Sequence, residues 1–275
     1  MVCKKNCRPQ DWIDSHCHLD ALAFAADRGD VWRAAGEAGV RVAFVPAVSL
    51  ANCADVAACC ARFSRPEARL FPAWGIHPLF VMTAREEDLI GLARRIEAER
   101  PLAMGEIGLD GMARDVDFAR QEFFFAAQLK LAREFDLPVL LHARHAVDAT
   151  LKHLRRIRVR GGIAHAFNGS RQQAEAFLAL GFRLGFGGAM TYPGSTRIRR
   201  LAHELPEEAL ALETDAPDIP PVWRRGQRNS PTELPAIARV LAELRAMPEA
   251  TLAARLRENL QTIFPILRTV ASLTI

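Results

Sequence analysis

Five histidines and two carboxylates recur at matching places along the sequence, each just after or inside a short apolar run. His16 and His18 lie in Ile13-Asp14-Ser15-His16-Cys17-His18-Leu19-Asp20, and His77 in Gly75-Ile76-His77-Pro78. Glu106 lies in Gly105-Glu106-Ile107-Gly108-Leu109-Asp110. His142 lies in Leu140-Leu141-His142-Ala143-Arg144, His165 in Ile163-Ala164-His165-Ala166-Phe167, and Asp215 in Leu212-Glu213-Thr214-Asp215-Ala216-Pro217. Imidazole and carboxylate are ligands for borderline divalent cations. His16 and His18 are two residues apart, so on an extended segment both rings point to one side. Glu106 in an apolar run would be a costly buried charge unless paired or metal-bound. Taken one at a time, a histidine after a strand is more often a hydrogen-bonded structural residue, and Asp215 could be a helix cap. As a set, four histidines and two carboxylates exceed the needs of one ion. They suit two ions sharing a carboxylate bridge, about 3.5–4 Å apart as in two-metal hydrolytic sites.

Such a site needs elements that bring distant side chains to one place. Eight short apolar runs are the strand candidates, at 12–14, 40–48, 70–76, 102–108, 139–142, 162–165, 183–187 and 209–213. Amphipathic helical segments lie between them, and the spacing fits βα units of about 30 residues. The segment 117–135 is the clearest helix, with Phe118, Phe125, Leu129 and Ala132 as expected buried positions. Pro101 and Pro138 end helices before strands. Eight such units in a chain of 275 residues point to an α/β fold, a (β/α)8 TIM barrel whose strand C-termini converge on one face. A doubly wound open sheet is the alternative, weakened by the lack of a Gly-rich dinucleotide fingerprint after the first strand. The expected organisation is a single domain over 1–275, with a core at about 11–267 and residues 1–10 as an extension. Residues 231–267 are expected to form helices closing the barrel from outside.

Composition narrows the class. Half the residues are hydrophobic, which argues against disorder, and no apolar run reaches the ~18 residues of a membrane span. The net charge of +4 is too small for a dedicated nucleic-acid-binding domain. Residues 1–10 lack the apolar stretch of a signal peptide, so the cytoplasm is the expected compartment. Of the six cysteines, Cys59 and Cys60 read as core residues on a helix, and Cys3 with Cys7 offers only half a zinc site.

The motifs quoted above, together with Leu141-His142-Ala143-Arg144 and His165-Ala166-Phe167-Asn168-Gly169, resemble those of the TatD-type metal-dependent deoxyribonucleases, and Asp215-Ala216-Pro217-Asp218-Ile219-Pro220 with Asn229-Ser230-Pro231 is similar to their YjjV-like branch. The resemblance runs in order over about 11–264. It implies a TIM-barrel hydrolase with a dinuclear centre: His16, His18 and Asp215 on one metal, His142 and His165 on the other, and Glu106 bridging. It implies that His77 and Arg144 lie near the substrate. Two positions depart from the common pattern, Gly111-Met112-Ala113 where aromatic residues are usual and Asn168 where serine is frequent.

The expected activity is hydrolysis of DNA phosphodiesters, exonucleolytic and on single strands, with Asp215 and Glu106 as catalytic residues. Two divalent cations are expected per chain, with Zn, Mn, Mg, Fe and Ni undistinguished. Arg144 suits bidentate phosphate binding or, alternatively, an ion pair at the barrel mouth. Arg224, Arg225 and Arg228 beside Trp223 could hold a single strand by charge and stacking, or form a solvated loop. His145, His153 and His203 are read as ordinary polar residues on helices. Two other functions fit the same ligands: an acyl or ester hydrolase, such as an aminoacyl-tRNA deacylase, and a non-catalytic protein stabilised by metal.

Overall fold

The computed structural model describes residues 11–270. The expected extension over 1–10, with Cys3 and Cys7, lies outside the described residues. Eight strands form one sheet in chain order: β1 (Trp12–Asp14), β2 (Val40–Pro46), β3 (Arg69–Trp74), β4 (Ala103–Asp110), β5 (Val139–Arg144), β6 (Gly162–Ala164), β7 (Phe182–Phe186) and β8 (Leu210–Leu212). Every neighbouring pair is parallel. The ends of the sheet meet beyond the regular strands, where Ser15 N donates to Leu212 O (3.0 Å) and Asp215 N to His16 O (2.9 Å). The fold is therefore a (β/α)8 barrel, and all eight predicted strands are present.

Between the strands run α1 (Arg28–Glu37), α2 (Asn52–Phe63), α3 (Glu87–Glu99), α4 (Phe118–Glu134), α5 (Val147–Arg156), α6 (Arg171–Ala179) and α7 (Thr196–Glu204). After β8 come α8 (Leu234–Leu244) and α9 (Glu249–Ile263), within the span expected to be helical, and α10 (Leu267–Val270), which runs past its end. Among the described residues no helix is long and apolar enough to cross a membrane. Cys59 and Cys60 lie on α2 as buried free thiols, as expected, and burial pushes the Cys59 thiol up to about 12.

Period-two alternation divides the strand side chains into two cores. Ala43 and Val45 of β2 join the large cluster between sheet and helices. Val42 and Phe44 belong to a second cluster with Ala73, Ala103, Leu140, Ile163 and Ala211 from the other strands. Leu260, Ile263 and Phe264 at the end of α9 close this inner cluster, with the Phe264 ring 4.4 Å from that of Phe44. Burying two such rings contributes roughly 1.5–3 kcal/mol each. Continuing the alternation toward the strand C-termini converts this apolar layer into the polar one. Leu140 leads to His142, Ile163 to His165, Ala73 to His77 and Ala211 to Asp215, always at an even spacing.

α4 begins at Asp117, whose carboxylate accepts from Ala119 N (2.9 Å). Phe125, Leu129 and Ala132 are buried as expected, but Phe118 is exposed. The buried position in the first turns is taken instead by Gln121, which reaches the backbone of Asp110.

Candidate metal centre

Glu106 sits at the middle of the barrel mouth, 2 % exposed, and its two oxygens face different partners. Oε2 lies 3.1 Å from His16 Nε2 and 3.2 Å from His18 Nε2. Oε1 lies 2.8 Å from His165 Nε2, 3.0 Å from His142 Nδ1 and 3.5 Å from His77 Nε2. Asp215 joins the first half, with Oδ1 3.6 Å from His16 Nε2 and 3.8 Å from His18 Nε2. The backbone of Asp215 is left-handed (φ 57°), a conformation that aspartate tolerates better than most residues. All six residues expected as ligands thus meet at one place, and His77 meets them.

The donor set fits divalent cations. His16 Nε2 and His18 Nε2 face each other at 3.2 Å, and His142 Nδ1 and His165 Nε2 at 3.1 Å. Two ring nitrogens at that distance need a shared proton or a cation between them. The spacing is close to the edge of a tetrahedron with metal–nitrogen bonds of about 2.0–2.1 Å. Three sets, His16–His18–Asp215, His16–Glu106–His165 and His77–Glu106–His142, each bring ligand atoms within 4.8 Å of one another. No cysteine takes part in such a set among the described residues.

Electrostatics reflect the crowding. Burial raises the Glu106 carboxyl, but His16, His165 and His77 outweigh it and hold the group well below the usual carboxylate range. Burial lowers the His18 and His165 rings, yet the charge and hydrogen bonding of Glu106 carry them up to about 9 and about 10. His16, fully enclosed, is pulled down to about 3 by burial and by His165. Burial raises Asp215.

A layer that sequence reading missed supports these residues. Asp110 Oδ2 lies 3.1 Å from His142 Nε2, and its Oδ1 accepts from Met112 N (2.8 Å). Glu213 is buried beneath His165, with Oε1 accepting from Ala166 N (2.5 Å) and standing 4.0 Å from His165 Nδ1. Burial pushes the Glu213 carboxyl up to about 8. The even spacing of Glu213 from Asp215 was the available signal. From α4, Gln121 brackets the Asp110 peptide groups, accepting from N (2.7 Å) and donating to O (3.1 Å). Gln128 does the same to Ile76, at 2.7 and 3.0 Å. Two glutamines seven apart on one helix face are their sequence trace.

The remaining expected residues separate. β5 continues to Arg144, as its proposed role requires, and the guanidinium is mostly exposed with Nη1 3.9 Å from Asp110 Oδ2. The basic loop after β8 is largely tied down: Arg224 and the Trp223 indole both bind Glu233, and Arg228 forms a two-pronged pair with Asp27. His153 and His203 lie on α5 and α7, bonded to Glu122 and to Leu244 O. His145 departs from expectation: it is in the turn before α5 with φ 49°, outside any helix. Asn168, one of the two departures from the common pattern, is exposed and accepts from Arg197 (3.0 Å).

Residues 13–265 match the family model described as TatD related DNase. An Escherichia coli K12 protein described as the uncharacterized metal-dependent hydrolase YjjV is 38% identical over 270 residues, covering 97% of this chain and all of that one. A Pantoea protein described as the 3'-5' ssDNA/RNA exonuclease TatD is 32% identical, covering 92% of this chain and 98% of its own. The crystal structure of E. coli YjjV superposes with a TM-score of 0.87 at 39% identity, over 92% of this chain and 98% of that one. With the same barrel and histidine–carboxylate mouth in view, this chain is a metal-dependent hydrolase and belongs to the TatD-related DNase family.

Proposed function

We propose that the protein hydrolyses phosphodiester bonds of DNA, as an exonuclease on single strands, at a centre of two divalent cations. The observation that carries this reading is the division of donors by Glu106, with Oε2 facing His16 and His18 and Oε1 facing His142 and His165. In this reading His16, His18 and Asp215 hold one ion, His142 and His165 the other, and Glu106 bridges. When bound, two divalent cations supply Lewis acidity that makes water nucleophilic near neutral pH and offsets phosphoryl charge. Residues 11–267 act as one catalytic unit.

The side chains supply the rest. Asp215 turns Oδ1 toward His16 and His18, and its second oxygen is a separate acceptor that can take the proton lost by the attacking water. Arg144 presents a mostly exposed guanidinium at the mouth, where its planar fork suits a phosphate two oxygens at a time. His77, on the Oε1 side, lies beside the substrate. The Pantoea relative described as a ssDNA/RNA exonuclease supports a nucleic-acid strand as substrate.

The test is cleavage of end-labelled single-stranded oligonucleotides by the metal-loaded protein, beside a panel of acyl substrates that includes aminoacyl-tRNA. Shortening from one end, lost in Glu106→Gln, is the expected result. Turnover of acyl esters with no phosphodiester cleavage would overturn it.

A further inference from the structure

His77 and His142 face the same carboxylate oxygen, but their rings are held in opposite ways. The outer nitrogen of His142, Nε2, meets the Asp110 carboxylate at 3.1 Å. A carboxylate accepts, so this nitrogen carries the proton and the inner Nδ1 keeps a lone pair. The outer nitrogen of His77, Nδ1, meets the backbone N–H of Leu79 at 3.2 Å, because His77 caps the short 3-10 turn Pro78–Phe80. An amide N–H only donates, so here Nδ1 supplies the lone pair. The ring is then neutral with its proton on Nε2, the nitrogen that points into the site, 3.5 Å from Glu106 Oε1. A protonated nitrogen has no lone pair for a cation. Proximity alone would group His77 with Glu106 and His142 as a ligand set, and the cap argues against that assignment.

We propose that His77 is a catalytic hydrogen-bond donor whose Nε2–H binds an anionic phosphoryl oxygen on the Oε1 side of Glu106, and that it is not a metal ligand. The substrate part of this proposal rests on the phosphodiester reading above. The donor keeps its proton throughout, because a neutral imidazole that released Nε2–H would become an imidazolate. Its contribution is that of a pre-aligned donor to charge developing in a buried site. The ring is fixed on several sides: the backbone N of His77 donates to Val48 O (3.0 Å), Phe80 packs edge-on at 6.2 Å between ring centres, and His142 at 4.5 Å.

The experiment uses the zinc-loaded protein with 15N-labelled histidine. Long-range 1H–15N spectra should show His77 Nδ1 as the unprotonated nitrogen and Nε2 as the protonated one, with Nε2–H shifting when inorganic phosphate is added. His77→Phe should keep the full metal content and bind phosphate about 10-fold or more weakly, as expected for loss of a hydrogen bond to a charged group. His77→Gln, whose amide can donate, should recover part of that affinity. An unprotonated or metal-bound Nε2, loss of a metal equivalent in His77→Phe, or an Nε2–H resonance indifferent to phosphate would each overturn the proposal. If the spectra, metal content and phosphate response are as expected while no phosphodiester is cleaved, the donor stands and the nuclease reading fails. If DNA is cleaved while the His77 resonance ignores phosphate, the nuclease reading stands and the donor role fails.

Discussion

Asp14 and Thr214, two hundred residues apart, are joined by two hydrogen bonds across the seam of the barrel. Thr214 N donates to Asp14 Oδ1 (2.9 Å) and Thr214 Oγ1 to Oδ2 (2.6 Å). Both residues are fully buried, and each is next to or near a residue of the candidate centre, His16 on one side and Asp215 on the other. The pair therefore fixes the relative position of β1 and β8, which do not pair as regular strands. Thr214→Val keeps the shape and removes the hydroxyl donor from a buried carboxylate. The expected cost is about 1–3 kcal/mol in urea unfolding, while Thr214→Ser should retain most of the stability.

Removing metal should destabilise the protein. A ligand that binds only the folded state at a hundred times its Kd adds about 2.7 kcal/mol. Chelation of the loaded protein should lower Tm, and Glu106→Gln, which weakens both halves of the mouth, should leave little difference between loaded and chelated samples. A Tm in wild type that is insensitive to chelation would count against a built metal centre.

Metal affinity should rise with pH. In the metal-free protein the rings of His18 and His165 hold protons up to about 9 and about 10 because Glu106 faces them. Ligation requires neutral imidazole, so the free state carries more protons than the loaded one and loading at pH 7 releases protons. Affinity should therefore increase as pH rises from neutrality toward that range. Calorimetry in buffers of different ionisation enthalpy reads the number released; a value of zero would contradict the assignment of these rings as ligands.

Gln128→Leu should act on the mouth from outside the barrel. It leaves both peptide groups of Ile76 without their side-chain partner, one residue before His77. The expected loss is about 2 kcal/mol or more. Gln128→Glu should lose less than Gln128→Leu only at acid pH, where the protonated carboxyl can accept from Ile76 N and donate to Ile76 O, and more as pH rises and a buried charge forms. Wild-type stability in Gln128→Leu would show that the bracket contributes nothing.

Gly185→Ala should collide with the Glu213 carboxylate, since a Cβ there would lie 2.0 Å from Oε2. Overpacking of this kind typically costs about 1–3 kcal/mol. Shortening the neighbour in Gly185→Ala/Glu213→Asp should recover part of the loss, giving a non-additive cycle. Strictly additive effects would mean that the two side chains do not compete for the same space.

The barrel and several of the side chains at its mouth are legible in the order of the residues. Apolar runs with period-two alternation mark a strand, and a polar ligand two or four residues beyond an inward apolar side chain must also point inward. That rule reaches His142, His165, His77 and Asp215 without any knowledge of contacts. Only folding sets which Glu106 oxygen faces which histidines, that Asp14 staples the seam, and that Arg228 is occupied by Asp27. These depend on the rotamer of one side chain against a partner tens to hundreds of residues away. Local periodicity carries the direction of a side chain from its own backbone and holds no information about what it meets.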